Sequence, residues 1–600
     1  MRVALFTLAL ICAIPMSAHG KLTVLKAYYR DTNASLHLFL KNQGRQPVTL
    51  LPPIVDDFDC ATINEHNVNR PQDVLWYRMR PSAIAPGEIA NILITLSTPA
   101  NKSKTVEIRT TNGETIKRVI RCAAEPLRFQ AIRFAPNLKT IDIYVRWANP
   151  TNSSFIKSIL LDGKDVHRFA SPWPAKACDG LAFTRIILKK PLVKNSFHVI
   201  EAKSSDGLST AYQIRAMPAE FLIGVYGTPT AENIADWSAH GCNHYLSFGS
   251  VQPDILEIMS KHRISVGAKY IPEPLVDRSA GKIVNFNEDI ARKNIEEIKN
   301  KQAFLYHHLV DEPDVADHYG GRQLGISAME LAARDEFCAK VDPEHYTFVQ
   351  LDNTFRPQNY RVYGEIADVI ATHRYSLGNF LRSEAGQETY TRPPFLKDLL
   401  ETIEKLKLAT EPKPFFMVTQ FFNLGERRSG RAPTIEEMRL QCYAMLLGGA
   451  RGIIHYIHSG STGGGEGGRA KTLWDAMTNL HNELRRVGEV AAIGTPAPAN
   501  WARCSTPNVL PGAILCGDKI VVVLINLSHR SSLETFAARP VREAIVTVKI
   551  PPWLDANALN VVALDSGDLI ESQLQEDVLS FKINEIIDAR CFLLSRQIGQ

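Results

Sequence analysis

The stretch AFLYHHLVDE, residues 303–312, is largely apolar through Val310, then ends on two adjacent carboxylates, Asp311 and Glu312, with Pro313 directly behind them. A short apolar run closed by a turn residue is the signature of a strand buried on both faces. The same signature recurs on either side. Before it come FLIGVYG (221–227), CNHYLSFG (242–249) and ISVGAKY (264–270); after it come YTFVQLDN (346–353), ADVIATHRYS (367–376), PFFMVTQFFN (414–423) and GIIHYIHS (452–459). Amphipathic stretches such as NEDIARKNIEEIKN and TIEEMRLQCYAMLLGG lie between them and read as helices. Eight strand–helix repeats over about 270 residues match a closed (β/α)₈ barrel. A doubly wound open sheet needs no eighth strand and usually offers a glycine-rich first turn, which GVYGTPTAEN is not.

Outward from the barrel the pattern changes to short alternating strands with turn signals. A chain of 600 residues is too long for one core. The expected organisation is a signal peptide at 1–20, β-sandwiches at 21–123 and 124–218, the barrel at 219–492, and a C-terminal β-sandwich at 493–600. SLHLFLKNQGRQPVTLL, TIDIYVRWANP and KIVVVLINLS are the clearest sandwich segments. The fold class is thus multidomain, α/β plus all-β.

The opening MRVALFTLALICAIPMSAHG has one arginine, an apolar stretch and small residues near Ala18 and Gly20, as a cleaved secretory signal does. The apolar run is shorter than the roughly 20 residues a spanning helix needs. The expectation is a secreted or periplasmic protein without a membrane span. Formal charge is +5, from 68 basic and 63 acidic residues with no long basic run, which argues against a nucleic-acid partner. The cysteines beyond Cys12 are scattered, so one or two disulfides are expected, with Cys60–Cys122 and Cys504–Cys516 as the nearest pairs.

A barrel of this kind builds its active site where the strands end. Those ends carry Tyr226, Ser247, Lys269, Tyr270, Asp311, Glu312, Asp352, Asn353, His373, Tyr375, Gln420, Asn423, His455 and His458. Asp311 and Glu312 are the expected catalytic pair, since neighbouring carboxylates raise one another's pKa and a raised carboxyl suits a general acid. Pro313 is expected to hold Glu312 extended. Tyr226, Lys269, Tyr270, Asp352, Asn353, His373, Tyr375, Gln420 and His458 are the expected sugar-binding residues. No cofactor and no metal is expected: His307, His308, His373, His455 and His458 come from several strands without a ligand spacing. HSGSTGGGEGGRAKT after strand eight has Ala470 where a phosphate loop needs glycine, so a rim loop is expected there.

The barrel, its flanking sandwiches and the Glu-Pro after strand four resemble clan-A-like glycoside hydrolases. The resemblance implies a strand-four glutamate as acid/base, here Glu312, and a strand-seven glutamate as nucleophile. This chain ends strand seven on Gln420, and Glu426 follows only in the loop beyond. The adjacent pair also resembles glycoside hydrolase families 20 and 123, which include β-N-acetylhexosaminidases. There the glutamate is the acid/base and the aspartate orients the substrate's own acetamido group, which attacks in place of a protein nucleophile. The substrate implied is an oligo- or polysaccharide. Two alternatives stay open: a two-carboxylate glycosidase using Asp352 or Glu426, and a barrel that binds glycans without cleaving them.

Overall fold

The computed structural model describes residues 21–63, 73–149, 154–271, 275–277, 282–284, 287–314, 327–352, 359–375, 377, 394–422, 432–458, 468–531 and 536–596. The leader 1–20, Asn353, Asn423, Glu426 and residues 459–467 lie outside them.

Eight parallel strands close into a barrel: Leu222–Gly227, His244–Leu246, Ser265–Ala268, Phe304–Asp311, Tyr346–Leu351, Val369–His373, Phe415–Gln420 and Gly452–His458. Each falls within one of the apolar runs read from the sequence. Helices pack around them, and their ends follow local chemistry. In Ile435–Gly448, Thr434 accepts from the N–H of Glu437 while the Glu437 carboxylate accepts from the N–H of Thr434; Gly449 closes the helix at φ 103°.

Inside the barrel, side chains alternate. Leu222, Tyr226, Leu246, Tyr306, Phe348, Ala371, Val418 and Ile454 pack on one another within it. Val225, Val266, Val349, Ile370, Met417 and Ile453 face the helices instead. Gly267 leaves room for the Tyr306 ring, where a Cβ would meet it at 2.0 Å, and the Tyr306 hydroxyl lies 2.7 Å from Nε2 of His244. The barrel is therefore a filled core. The same two-residue period carried one step further brings Gln350, His373, Gln420 and Tyr456 to its upper layer.

Residues 22–120 and 127–215 each form two antiparallel sheets over their own core, and 495–596 form a six-stranded and a four-stranded sheet. Polar anchors tie the first two units to the barrel. Arg30, Asn33 and Tyr212 all donate to the Glu365 carboxylate, at 2.8, 2.8 and 2.6 Å, and Arg215 pairs with Asp368 at 2.8 Å. Glu365 and Asp368 precede the sixth strand, so the anchors grip the end of the barrel where strands enter. No helix among the described residues is long and apolar enough to cross a membrane.

The expected disulfides are not formed, and all nine cysteines of the described residues are free thiols. Cys60 and Cys122 are separately buried in the first sandwich core. Cys504 and Cys516 stand on strands of different sheets.

Candidate active site

Adjacent side chains on a regular strand face opposite ways. Asp311 and Glu312 could not both overlook the pocket from an unbroken strand, and here the strand breaks. Its pairing with the fifth strand slips, with His308 opposite Phe348 and Asp311 opposite Gln350. One extra residue on the fourth strand makes a β-bulge and resets the phase of Asp311. The extended Glu312 expected ahead of Pro313 is then corrected: Glu312 adopts φ 48°, in the left-handed region. A side chain there costs on the order of 1–3 kcal/mol and persists only where the surroundings enforce it. The enforcing contact is visible, because the Glu312 N–H donates to the carbonyl of Gln350 at 2.9 Å.

The Glu312 carboxylate meets His373. Oε1 lies 3.5 Å from Nδ1 of that ring, whose Nε2 is 3.1 Å from Oδ1 of Asp352. Asp352 is held from below, its N–H donating to Asp314 at 3.0 Å. Burial pushes the Glu312 carboxyl up to about 7; His373 opposes that rise, while Asp311, Asp352 and Asp314 add to it. The side chain nevertheless keeps 33% of its surface exposed, so it remains reachable from the pocket. Asp311 stands beside it with Oδ1 3.9 Å from Nε2 of His308. Burial, and next the Lys269 charge, push the His308 imidazole far down, so it is neutral, and its Nδ1–H faces the carbonyl of Ser247 at 3.2 Å.

An aromatic wall completes the site. Tyr375 stacks on His373 with centroids 4.2 Å apart and on Tyr456 at 5.6 Å. Tyr226 and Phe248 meet Tyr456 edge-on, and Phe422 closes against both Tyr375 and Tyr456. Phe248 is an exposed large apolar side chain, 43% accessible. Tyr226 donates to Oε1 of Gln350, whose Nε2 lies 3.4 Å from Nδ1 of His373, so the first, fifth and sixth strands share one polar chain. Gln420 is 1% exposed, gives its amide N–H to the carbonyl of Phe422 at 3.3 Å and keeps Oε1 without a partner.

The structure thus gathers Asp311, Glu312, Asp352, His373, Tyr375, Tyr226 and Gln420, with Lys269 buried beside His308. It does not gather Tyr270, whose hydroxyl donates to the carbonyl of Val251 at 2.7 Å behind the barrel wall. Nor does it gather His458. The first and eighth strands slip between Val225 and Gly227, which turns His458 outward to Trp237 at 3.0 Å and Asp236 at 3.4 Å. His455 likewise faces Thr419 and His481. Asn353 lies outside the described residues. Sequence reasoning missed Gln350, Tyr456, Phe248 and Phe422. The two-residue period from Phe348, Ile454 and Leu246 would have found the first three.

Two groups have ligand atoms close enough for a cation: Glu312, Asp352 and His373, and the buried set His307, Asp342 and His345, each within 4.8 Å. The second is already a complete hydrogen-bonded set, with both imidazoles on Asp342 at 2.9 Å.

No protein-family model matches the chain, and no curated protein matches it by sequence. Solved structures similar to it include a cycloisomaltooligosaccharide glucanotransferase from Paenibacillus sp., with 9% identity over 78% of this chain and 99% of that one and a TM-score of 0.43. An α-amylase from Geobacillus thermoleovorans is 10% identical over 63% and 99%, with a TM-score of 0.41. A glycoside hydrolase family 5 protein from Bacteroides vulgatus is 12% identical over 66% and 91%, also at 0.41. At these identities and TM-scores no residue role passes from them to this chain.

Proposed function

We propose that the chain is an exported glycoside hydrolase in which Glu312 donates a proton to the leaving oxygen and Asp311 orients the substrate. The observation that carries this reading is the Glu312 carboxyl, raised to about 7 by burial yet reachable on the barrel rim. A carboxyl in that range is protonated near neutrality and poised to give its proton up. The aromatic wall of Tyr226, Phe248, Tyr375 and Tyr456 suits the apolar faces of sugar rings.

The geometry also bears on the nucleophile. The nearest atoms of Glu312, His373 and Asp352 all lie within 4.8 Å of one another, with the imidazole between the two carboxylates. Paired catalytic carboxylates stand about 5–5.5 Å apart or more, with the sugar between them. Asp352 therefore fits the role of holding His373 better than that of attacking an anomeric carbon. Gln420 offers an amide in strand seven, and Asp311 stands next to the acid. This favours attack by a 2-acetamido group of the substrate, with Asp311 as its support.

The test is a pair of aryl glycosides. An aryl N-acetylhexosaminide should be hydrolysed and the matching aryl hexoside should not, and Asp311→Asn should lower kcat more than it raises KM. Faster hydrolysis of the plain hexoside would overturn substrate assistance. Binding across a glycan panel with no turnover at all would overturn the enzymatic reading.

A further inference from the structure

The end of the barrel opposite Glu312 covers a cavity of about 50 Å³, room for about three or four water-sized groups. The second sandwich closes it with Arg133 and Phe134, and the barrel contributes Tyr346, Val369, Phe416 and Arg451. Most of the wall is apolar, which makes the arginines conspicuous. Arg133 is 8% exposed and Arg451 2%. Arg133 Nη1 donates to the carbonyls of Ile132 and Pro412, at 3.1 and 2.6 Å. Arg451 gives its Nη groups to the carbonyls of Ala450, at 3.1 Å, and Gly494. The Nε of each is buried without a hydrogen-bond partner, and neither forms an ion pair with a carboxylate among the described residues.

A third arginine of the same cavity shows the contrast. Arg215 has its carboxylate, Asp368, at 2.8 Å. Arg133 and Arg451 instead sit close enough to repel: burial first, then the charge of Arg451, holds Arg133 down at about 9. The one carboxylate in the lining, Glu220, is exposed and feels Lys194 rather than either arginine. A buried guanidinium without counter-charge is strongly penalised, and a buried donor without an acceptor calls for a partner.

We propose that this cavity is a binding site for a small oxyanion, a carboxylate or a phosphate of about four or five heavy atoms, held by the Nε–H groups of Arg133 and Arg451. Arg133 belongs to the second sandwich and Arg451 to the barrel, so the anion bridges the two domains. The site is independent of whatever chemistry the opposite rim performs.

The experiment uses the full chain, titrated with sodium acetate and with sodium phosphate against sodium chloride at matched ionic strength. The melting temperature should rise saturably with at least one oxyanion, and calorimetry should give one site per chain. Whichever anion saturates at the lower concentration identifies the carboxylate or the phosphate arm. Arg451→Met should weaken binding at least tenfold. Ala492→Met, which fills the cavity from its lining and leaves both arginines in place, should do the same, and it serves if the arginine variant fails to fold. Acetate and phosphate acting no more strongly than chloride would overturn the site. So would equal action on the wild type and Ala492→Met; the arginines would then be only pins to main-chain carbonyls.

Discussion

His307 and His308 are neighbours on one strand, and behind and above that strand the protein builds two clusters of the same residue types. On the rim, His373 lies between Glu312 and Asp352. Behind the wall, Asp342 lies between His307 and His345. Their carboxyls move in opposite directions. Burial raises Glu312 to about 7, because its contact with His373 is 3.5 Å long and three other carboxylates crowd it. Burial also pushes Asp342 up, yet short hydrogen bonds to both imidazoles outweigh that and hold it well below the usual carboxylate range. Residue type is the same in both places; the hydrogen bonds decide. One carboxyl is left free to carry a proton, and the other is locked as a structural anion.

That contrast predicts a separation of effects. Glu312→Gln should lower kcat by about 10²–10⁴-fold, the usual contribution of a general acid, with glycan affinity retained. It should not lower the melting temperature at neutral pH. Asp342→Asn should do the reverse. Breaking hydrogen bonds to two buried imidazoles costs on the order of 1–3 kcal/mol, read as a lower melting temperature, while kcat of the folded protein stays near wild type. If Asp342→Asn reduced kcat as much as Glu312→Gln, the clusters would not be functionally distinct.

A finer test moves the proton rather than removing it. On the proposed reading, kcat/KM falls as pH rises through about 7, because Glu312 must be protonated to act. The influence of His373 on Glu312 is to lower its pKa. His373→Asn should therefore shift the alkaline limb to higher pH. Asp352→Asn should shift it to lower pH, since the Asp352 charge raises Glu312. Movement of both limbs in the same direction would show that the variants act through distortion.

The sequence made the barrel legible because its strands are buried on both faces and read as apolar runs between helical patterns. It made Asp311 and Glu312 legible because carboxylates at the end of such a run are unusual. It did not show how two neighbours face one pocket. The bulge and the left-handed Glu312 both depend on Gln350, an amide on the next strand whose pairing no local pattern reveals. The same cause misplaced His458, where counting by twos fails across a slip against the first strand. Tyr270 reads as a rim residue until its hydroxyl is seen spent on Val251. Strand identity is local information, whereas strand register is not.

The smallest expected effect is the one that most directly compares the two carboxyls. Glu312 titrates near 7 in the fold and near 4.5 in the unfolded chain. The folded state then holds its proton more tightly, so the contribution of Glu312 to stability is fully present below about 4.5. It is lost as pH rises through about 7. Glutamine has no proton to lose. Glu312→Gln should match the wild type near pH 4.5 and become the more stable protein above pH 7, by about 1 kcal/mol once solvent screening of the partly exposed side chain is allowed for. Asp342 has the opposite sign. Its depressed carboxyl contributes stability above the unfolded value and loses it as pH falls, so the deficit of Asp342→Asn should be largest at neutral pH and shrink towards acid. Thermal melts of both variants from pH 4.5 to 8 should therefore diverge in opposite senses from the wild type as pH rises. A Glu312→Gln protein less stable than wild type at pH 8 would mean that the ionised carboxylate is welcome on the rim, and the case for a proton held there would fail with it.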